Sequence, residues 1–307
     1  MPQPTISQVH IDRAITNAAI QYRNLEFIAE QVAPVVPVTK DSDKYFIFTK
    51  GDWLSDNADD DRAPGARAAR GGYGLSSGTY LLKQIAIAHP IPVETVENAD
   101  EPLKPFEDGT EWCMQQAQLR RERRTAANLF TTGVWGTDNT TATNWSDFNN
   151  SDPANDIATG QDTILQNAGV MPNQLTIGWQ VWQQLRQHPD GIDRFKHTQA
   201  GLLTPDQVAA WLNVERLVIG KAVYNSAKEG ATASMAFVWG KDALLSYVTN
   251  APALRTPTSA YIFQKKGVVT RRWREEAENQ DVVEATIATD PRVTASDAGY
   301  FFSGIVA

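Results

Sequence analysis

The segment Pro172–Ala227, PNQLTIGWQVWQQLRQHPDGIDRFKHTQAGLLTPDQVAAWLNVERLVIGKAVYNSA, decides the fold class. It predicts a short strand at Gln174–Gly178, a helix that ends at a His-Pro pair, a second helix, and a second strand at Arg216–Val223. Thr204 can cap the second helix, because proline follows it at the first helical position and a glutamine three residues later completes a capping box. Strands and helices that alternate over short connections indicate an α+β or α/β unit.

A long helix is predicted upstream, at Thr110–Phe130, because no glycine or proline interrupts this stretch. Thr110 can cap it, Glu111 suits the positive end of the helix dipole, and Gly133 follows its end. The predicted stripe is only partly apolar, which indicates polar contacts rather than a deep core position. The stripe consists of Trp112, Gln116, Leu119, Arg123, Ala126 and Phe130.

The N-terminal segment 7–22 predicts a short amphipathic helix. Pro34 and Pro37 then interrupt any helix, and the valines around them favour extended chain. An apolar arm that prolines interrupt has little of its own to pack on, so we expect it to dock on another molecule. The apolar stripe of the predicted helix is Ile11, Ile15, Ala18, Ala19 and Tyr22.

Two strands are predicted at Lys44–Thr49 and Gly78–Ala88, with about thirty polar and glycine-rich residues between them. Loops longer than about 12–15 residues are uncommon in compact domains and are usually functional. The charges in this excursion are segregated, so it is either a solvated loop or an arm that lies on a neighbouring molecule. Its acidic half holds Asp52, Asp56, Asp59, Asp60 and Asp61, and its basic half holds Arg62, Arg67 and Arg70.

Two further regions complete the prediction. Residues 136–156 are rich in Asn, Thr and Asp, which predicts a surface loop, and residues 260–307 predict strands separated by turns. Arginines at 120, 121, 123 and 124 of the long helix either contact a partner or form a solvated face balanced by Glu111 and Glu122. A second basic cluster at 265–274 alternates with apolar residues, as in a half-exposed strand.

Composition excludes several classes of protein. The 307 residues are 42% hydrophobic and 21% charged with nine tryptophans, which indicates a globular chain of one or two domains. One cysteine, Cys113, excludes an internal disulfide framework and a multi-cysteine zinc site. The net charge of −8 argues against a surface that wraps nucleic acid throughout. The sequence predicts no membrane helix and no signal peptide, so we expect a cytoplasmic chain.

The sequence predicts no catalytic residues, no metal ligands and no cofactor. A G-x-S-x-G motif at Gly74–Gly78 lies between a glycine-rich loop and a strand, whereas a nucleophile elbow needs a strand before the serine and a helix after it. No phosphate-binding glycine loop is present. The four histidines are scattered and lack metal-ligand spacing. They are His10, His89, His188 and His197.

The order of these segments resembles the major capsid protein of tailed bacteriophages, whose Hong Kong 97-like fold is shared with encapsulins. QYRNLEFIAEQVAPVVPV followed by KYFIFTKGDW is similar to the family's N-terminal arm running into its extended loop. ADDDRAPGARAAR resembles the loop tip and TYLLKQIAIAHPIPVE the returning strand. Pro172–Ala227 resembles the axial domain.

The resemblance implies an α+β fold and a structural, non-enzymatic role. Subunits would assemble into pentamers and hexamers of an icosahedral virion capsid, built in the host cytoplasm around double-stranded DNA held without sequence specificity. Scaffolding, portal and decoration proteins are further partners that the resemblance allows, and no membrane is involved. The implied divisions are an N-terminal arm 1–43, an extended loop 44–88, a peripheral domain 89–158 and 255–299 with a spine helix 110–130, and an axial domain 159–254 and 300–307.

The resemblance also implies which residues contact other subunits. In the extended loop these are Trp53, Asp59, Asp60, Asp61, Arg62, Arg67 and Arg70, and in the arm they are Ile11, Ile15, Tyr22 and Phe27. The spine-helix basic cluster is Arg120, Arg121, Arg123 and Arg124. Some shells of this fold carry an isopeptide bond from a loop lysine, but residues 51–82 contain no lysine.

Three alternatives stay open. An encapsulin-type compartment would have the same fold around protein cargo. A serine hydrolase acting through Ser76 would belong to a different class, and its motif has the wrong context. An accessory protein that decorates another shell is disfavoured by the long arm and excursion.

Overall fold

The computed structural model describes residues 26–48, 50–54, 56, 61–68, 70–99, 103–139, 143–195, 201–252, 256 and 258–307. The helices of this part of the chain are α1 Ala29–Val32, α2 Lys50–Trp53, α3 Val93–Glu97, α4 Pro105–Leu129, α5 Pro153–Ala168, α6 Trp179–Leu185, α7 Pro189–Phe195 and α8 Pro205–Trp211. The strands are β1 Val35–Pro37, β2 Ser42–Phe48, β3 Leu75–Leu81, β4 Lys83–Pro92, β5 Thr137–Asn139, β6 Gln174–Gly178, β7 Arg216–Gly220, β8 Val223–Asn225, β9 Met235–Phe237, β10 Ala243–Ser246, β11 Ala260–Gln264, β12 Val269–Glu275, β13 Gln280–Val293 and β14 Gly299–Phe302.

One five-stranded sheet, which we call the buried sheet, has the order β5-β14-β10-β6-β7. Every residue of β6, β10 and β14 is buried, because helices and loops pack on both faces of these strands. The predicted capping box is confirmed: the Thr204 side chain accepts the N–H of Gln207, and Gln207 Oε1 accepts the N–H of Thr204 at 2.9 Å. The predicted strand Gln174–Gly178 is β6.

The second five-stranded sheet, which we call the long-strand sheet, is organised by the 14-residue β13. Strand β4 pairs with one edge of β13, β12 and β11 pair in succession with the other, and β1 adds in parallel to β11. Helix α4 lies on one face of this sheet, where Cys113 and Ala117 pack against Ile85, Ala285 and Ile287. The sequence therefore predicts both α and β layers correctly.

The predicted long helix begins five residues earlier than expected. Pro105 occupies its first position, and Glu107 and Asp108 supply the negative charge of the first turn, so Thr110 is not its cap. The Thr110 hydroxyl instead donates to the carbonyl of Phe106 at 2.7 Å. The predicted stripe is also wrong in phase. The buried residues are Gly109, Cys113, Ala117, Arg121, Glu122, Thr125, Ala126 and Leu129.

Three other sequence predictions need correction. The predicted strand Gly78–Ala88 is two strands, because the chain breaks at Leu82 between the hairpin strand β3 and β4. Residues 136–156 are not simply a surface loop, since β5 pairs in parallel with β14 and Trp145 is fully buried. Strand β12 is exposed along nearly its whole length rather than on one face. The expected domain boundary at residue 158 falls inside α5.

Among the helices that the structure describes, none combines the length and the apolar character needed to cross a membrane.

His188 lies fully buried in the core beside the buried sheet, between the rings of Phe148 and Trp211. Its Nε2 is 3.1 Å from the hydroxyl of Ser151. Burial lowers the pKa of His188 below its usual 6.5, although Asp190 and Asp152 oppose this shift. The folded chain therefore binds this proton more weakly than the unfolded chain does.

This difference predicts that acid destabilises the folded subunit. Stability from His188 is fully present above its unfolded pKa of about 6.5 and is lost as pH falls through that value towards the lower folded pKa. We expect thermal unfolding between about pH 7 and pH 5 to shift less in a His188→Gln variant than in the unaltered chain. Equal shifts in the two proteins would contradict the prediction.

Candidate inter-subunit surfaces

The foot of the N-terminal arm is fastened to its own chain by a buried carboxylate. Glu122 of α4 is fully buried, and its two oxygens accept the backbone N–H groups of Ile28 and Ala29, each at 2.9 Å. A third donor, Trp239 Nε1, lies 2.8 Å from Glu122 Oε1. Glu122 thereby supplies the cap that α1 lacks, since Ile28 offers no capping side chain.

The electrostatics of Glu122 combine two opposing effects. Burial raises the pKa of this carboxyl above its usual value, and the N–H donors of Ile28, Ala29 and Trp239 lower it, as does the charge of Arg121. Burial dominates. An isolated buried carboxylate is costly, so three donors aimed at it are the condition for keeping it there.

Further contacts secure the same segment. Arg121 pairs with Glu30 at 2.6 Å, and Lys221 pairs with Glu26 at 2.6 Å. Ile28, Ala29 and Val32 are buried in a core cluster with residues of α4 and the buried sheet. The expectation that the whole arm docks on another molecule is therefore wrong for residues 28–37, which pack at home because α4 and β11 offer them a core and an open strand edge.

The sequence-predicted arm contacts are divided by this result. Phe27 is half-buried beside the foot. Ile11, Ile15 and Tyr22, together with the predicted helix 7–22, lie outside the described residues. The part of the arm available to neighbours thus precedes Glu26.

The hairpin β2–β3 packs through one face only. Tyr45 and Tyr80 stack on Phe263, with ring centroids at 5.4 and 4.6 Å. The Tyr45 ring lies across Gly78, where a Cβ would come within 2.4 Å of it, so this position requires glycine. The base of the hairpin is held by Asp290, whose carboxylate accepts the N–H of Leu81 at 2.9 Å.

The opposite face of the hairpin is apolar and open. Phe46, Leu75 and Leu81 share this face by the pairing register, and they are 69%, 51% and 55% exposed. Further along the excursion, Leu54 and Tyr73 are 61% and 63% exposed. Several large apolar side chains in one excursion exceed the scattered exposure of an ordinary surface, and such patches mark interaction sites.

The excursion carries a preformed turn. The N–H of Ala66 donates to the carbonyl of Ala63 at 3.0 Å, and Gly65 has φ +83°, with proline preceding it, as in a type II turn. The predicted contact residues that the structure describes here are exposed, namely Asp61, Arg62, Arg67 and Arg70. Trp53 ends α2, and Asp59 and Asp60 lie outside the described residues.

The spine-helix arginines mostly hold their own chain. Besides the Arg121 pair, the Arg123 guanidinium lies 4.0 Å from the Tyr224 ring centroid, and Arg124 Nη1 donates to the carbonyls of Lys83 and Thr289 at 3.0 and 3.2 Å. Arg120 is exposed. Glu122, expected to balance a solvated face, is instead the buried cap of α1.

The second basic cluster is also neutralised within the chain. Arg271 pairs with Glu284 and Arg272 with Asp281, and Lys265 pairs with Asp41. This strand is therefore a weak candidate for binding nucleic acid, because its charges already have partners.

The chemistry of catalysis finds no support in the described residues. Ser76 lies within β3 and its hydroxyl donates to the carbonyl of Ile47, so the G-x-S-x-G motif is a hairpin sequence. Ser151 and His188 meet, but both are buried and the Ser151 hydroxyl donates to the carbonyl of Asp147 at 2.6 Å. Across the described ranges, no three His, Cys, Asp or Glu side chains are grouped to hold a metal ion.

The whole length of the chain is similar to capsid proteins of phages. It is 29% identical over 304 residues to the major capsid protein of Burkholderia phage BcepMu, covering 96% of both chains. It is 25% identical over 316 residues to the major capsid protein of Pseudomonas phage JBD67, covering 97% of both. No family model matches the chain.

Solved structures share the architecture. A phage-related protein from Bordetella bronchiseptica RB50 matches over 92% of both chains with a TM-score of 0.71 and 24% identity. The capsid of cyanophage P-SCSP1u matches over 93% of this chain and 90% of its own, with a TM-score of 0.62 and 11% identity. A virus-like particle from Pyrococcus furiosus gives 0.55 and 9%, covering 89% and 91%.

The fold defined by the two sheets, the spine helix and the extended hairpin is the Hong Kong 97-like fold of phage capsids. Within that class, the chain is a full-length relative of phage major capsid proteins. The resemblance inferred from the sequence is thereby confirmed.

Replacing Glu122 by methionine removes the acceptor for three buried N–H groups while keeping a straight side chain on α4. We expect the free energy of unfolding to fall by roughly 3 kcal/mol, since each unsatisfied buried donor costs about 1–3 kcal/mol. Hydrogen exchange at the amides of Ile28 and Ala29 would accelerate most. Glu30→Gln is the matched control, because its exposed pair contributes about 1 kcal/mol or less. Equal effects of the two substitutions would refute the capping role.

Proposed function

We propose that this chain is the major capsid subunit of a tailed phage and that copies of it form an icosahedral shell of pentamers and hexamers. The open apolar face of the hairpin, with Phe46, Leu75 and Leu81, carries the proposal. Such a face gains stability only when another surface covers it, at about 25 cal/mol per Å² of apolar area. The full-length similarity to phage major capsid proteins supports the same conclusion.

Within this proposal the domains follow the sheets. The buried sheet with α5 to α8 forms the axial domain, and the long-strand sheet with α4 forms the peripheral domain. The hairpin β2–β3 and the turn at residues 63–66 form the extended loop, which lies on an adjacent subunit. Arg62, Arg67 and Arg70 then meet carboxylates of that subunit.

The shell encloses double-stranded DNA, and the net charge of −8 keeps the wall from gripping it tightly. A local contact without sequence specificity uses exposed cations such as Arg120. Scaffolding, portal and decoration proteins complete the assembly, which takes place in the host cytoplasm.

The alternative is an encapsulin-type shell, which has the same fold around protein cargo. The similarity along the whole chain to two phage capsid proteins favours the phage shell over this alternative. The nature of the co-purifying contents separates the two.

Negative-stain electron microscopy and sedimentation of the recombinant protein test the proposal. Closed shells or open tubes of subunits are the expected result, alone or after a scaffolding protein is supplied. Shells that carry a defined protein cargo favour the encapsulin alternative. A compact monomer that stays unassembled with scaffold present, and whose residues 51–80 resist protease, contradicts a shell function.

Phe46→Ser and Leu75→Ser on the open hairpin face should reduce assembly strongly. Both side chains are exposed in the subunit, so the free energy of unfolding should change by no more than about 0.5 kcal/mol. Sedimentation measures assembly and chemical denaturation measures stability. Leu165→Ser on α5, where leucine is 47% exposed, is the matched control and should assemble normally. Normal assembly of the hairpin variants would remove this face from the interface.

The shell should carry no covalent cross-links between subunits. Residues 51–82 contain no lysine, and Lys50 at the base of the excursion pairs with Asp297 at 2.6 Å. We expect one band at the subunit mass when purified particles are boiled in detergent and run on a denaturing gel. A ladder of multimers that survives reducing agent would show the opposite.

A further inference from the structure

A groove of about 410 Å³ opens at the edge of the buried sheet, where the described chain begins. One wall is the foot of the arm, with Glu26, Phe27 and Ile28, and the other is strand β7, with Leu217 and Ile219. Both leucine and isoleucine are only half-buried. The groove therefore offers apolar surface that this part of the chain leaves uncovered.

Strand β7 is an edge strand. Among the described residues it pairs with β6 alone, and its sequence from Arg216 to Gly220 is otherwise apolar. An open apolar edge invites pairing with other chains, and proteins usually cover or charge such edges. Lys221 supplies one charge at the end of β7, and it is already paired with Glu26.

The occupant is identified by chain connectivity. Glu26 lines the groove, and the predicted helix 7–22 ends at Tyr22, four residues earlier. Four residues of fully extended chain span at most about 14 Å, so Tyr22 must lie close to the mouth of the groove. Tethering over so short a distance gives a high effective concentration at this site compared with any untethered partner.

The side chains suit the site. Tyr22, Ala18 and Ala19 share one face of the predicted helix, because residues three and four apart are neighbours. Tyrosine has an apolar body and a polar tip, which suits a groove that is open at one end. The two alanines are small enough to let a helix approach a strand edge closely.

We propose that the C-terminal end of the predicted helix, from Ala18 to Tyr22, is seated in this groove of its own chain. The seated segment covers the β7 edge and fixes the direction in which the arm leaves the subunit. The inference rests on the proposed shell function in one respect: only the residues before Ala18 then remain to contact neighbouring subunits.

A disulfide trap tests the seating. Tyr22→Cys is combined with Leu217→Cys in a Cys113→Ala background of the full chain, and oxidation is followed on non-reducing gels and by peptide mass spectrometry. We expect a disulfide within one chain, formed about tenfold faster than in a control pair, Tyr22→Cys with Val269→Cys on the long-strand sheet. Tyr22→Cys with Ile219→Cys replaces the first pair if that variant misfolds.

Either of two results overturns the proposal. A disulfide that joins two chains places the arm on a neighbour, and oxidation no faster than in the control pair leaves the groove without this occupant. Electron microscopy of the same sample keeps the proposals apart. Shells without the intrachain bond refute the seating alone, and the intrachain bond in subunits that never assemble refutes the shell alone.

Discussion

The buried carboxylate of Glu122 is the interaction on which the rest of the subunit depends. It joins three segments that are distant in sequence: the arm foot, the spine helix α4 and the loop before β10 that carries Trp239. A hydrophobic cluster around the same point includes Ile28, Val32 and Leu244. The two sheets therefore meet through the arm foot, and the arm is a structural part of the subunit as well as an extension of it.

The subunit is well satisfied inside and incomplete outside. Its arginine clusters and carboxylates are mostly paired within the chain, so most charged side chains offer little to a partner. The surfaces left over are apolar: one face of the hairpin, with Phe46 and Leu75, and the groove beside β7. Burial of apolar area is weakly directional, so the fixed hairpin geometry has to supply the specificity of contact.

Local signals made part of this fold predictable. The capping box at Thr204 and the apolar run of β6 involve neighbours in sequence, so their structures follow from a short window. The start of α4 was mistaken because Thr110 satisfies a capping pattern that Pro105 satisfies better. Glu122 had no local signal at all. A glutamate between arginines on a long helix indicates a solvated face, and only the long-range contact with Ile28 reveals otherwise. The exposed hairpin face was equally hidden, since alternation within β2 does not show which side meets Phe263.

The hairpin and the spine helix are mechanically connected. Asp290 of β13 accepts the N–H of Leu81 at the end of β3, and Arg124 of α4 binds the carbonyls of Lys83 and Thr289 beside it. A pull on the hairpin therefore travels through this junction into the middle of the subunit rather than peeling the hairpin away. In a closed container under internal pressure, each subunit would transmit load along its longest helix to the next, and the wall would resist stretching as a continuous net.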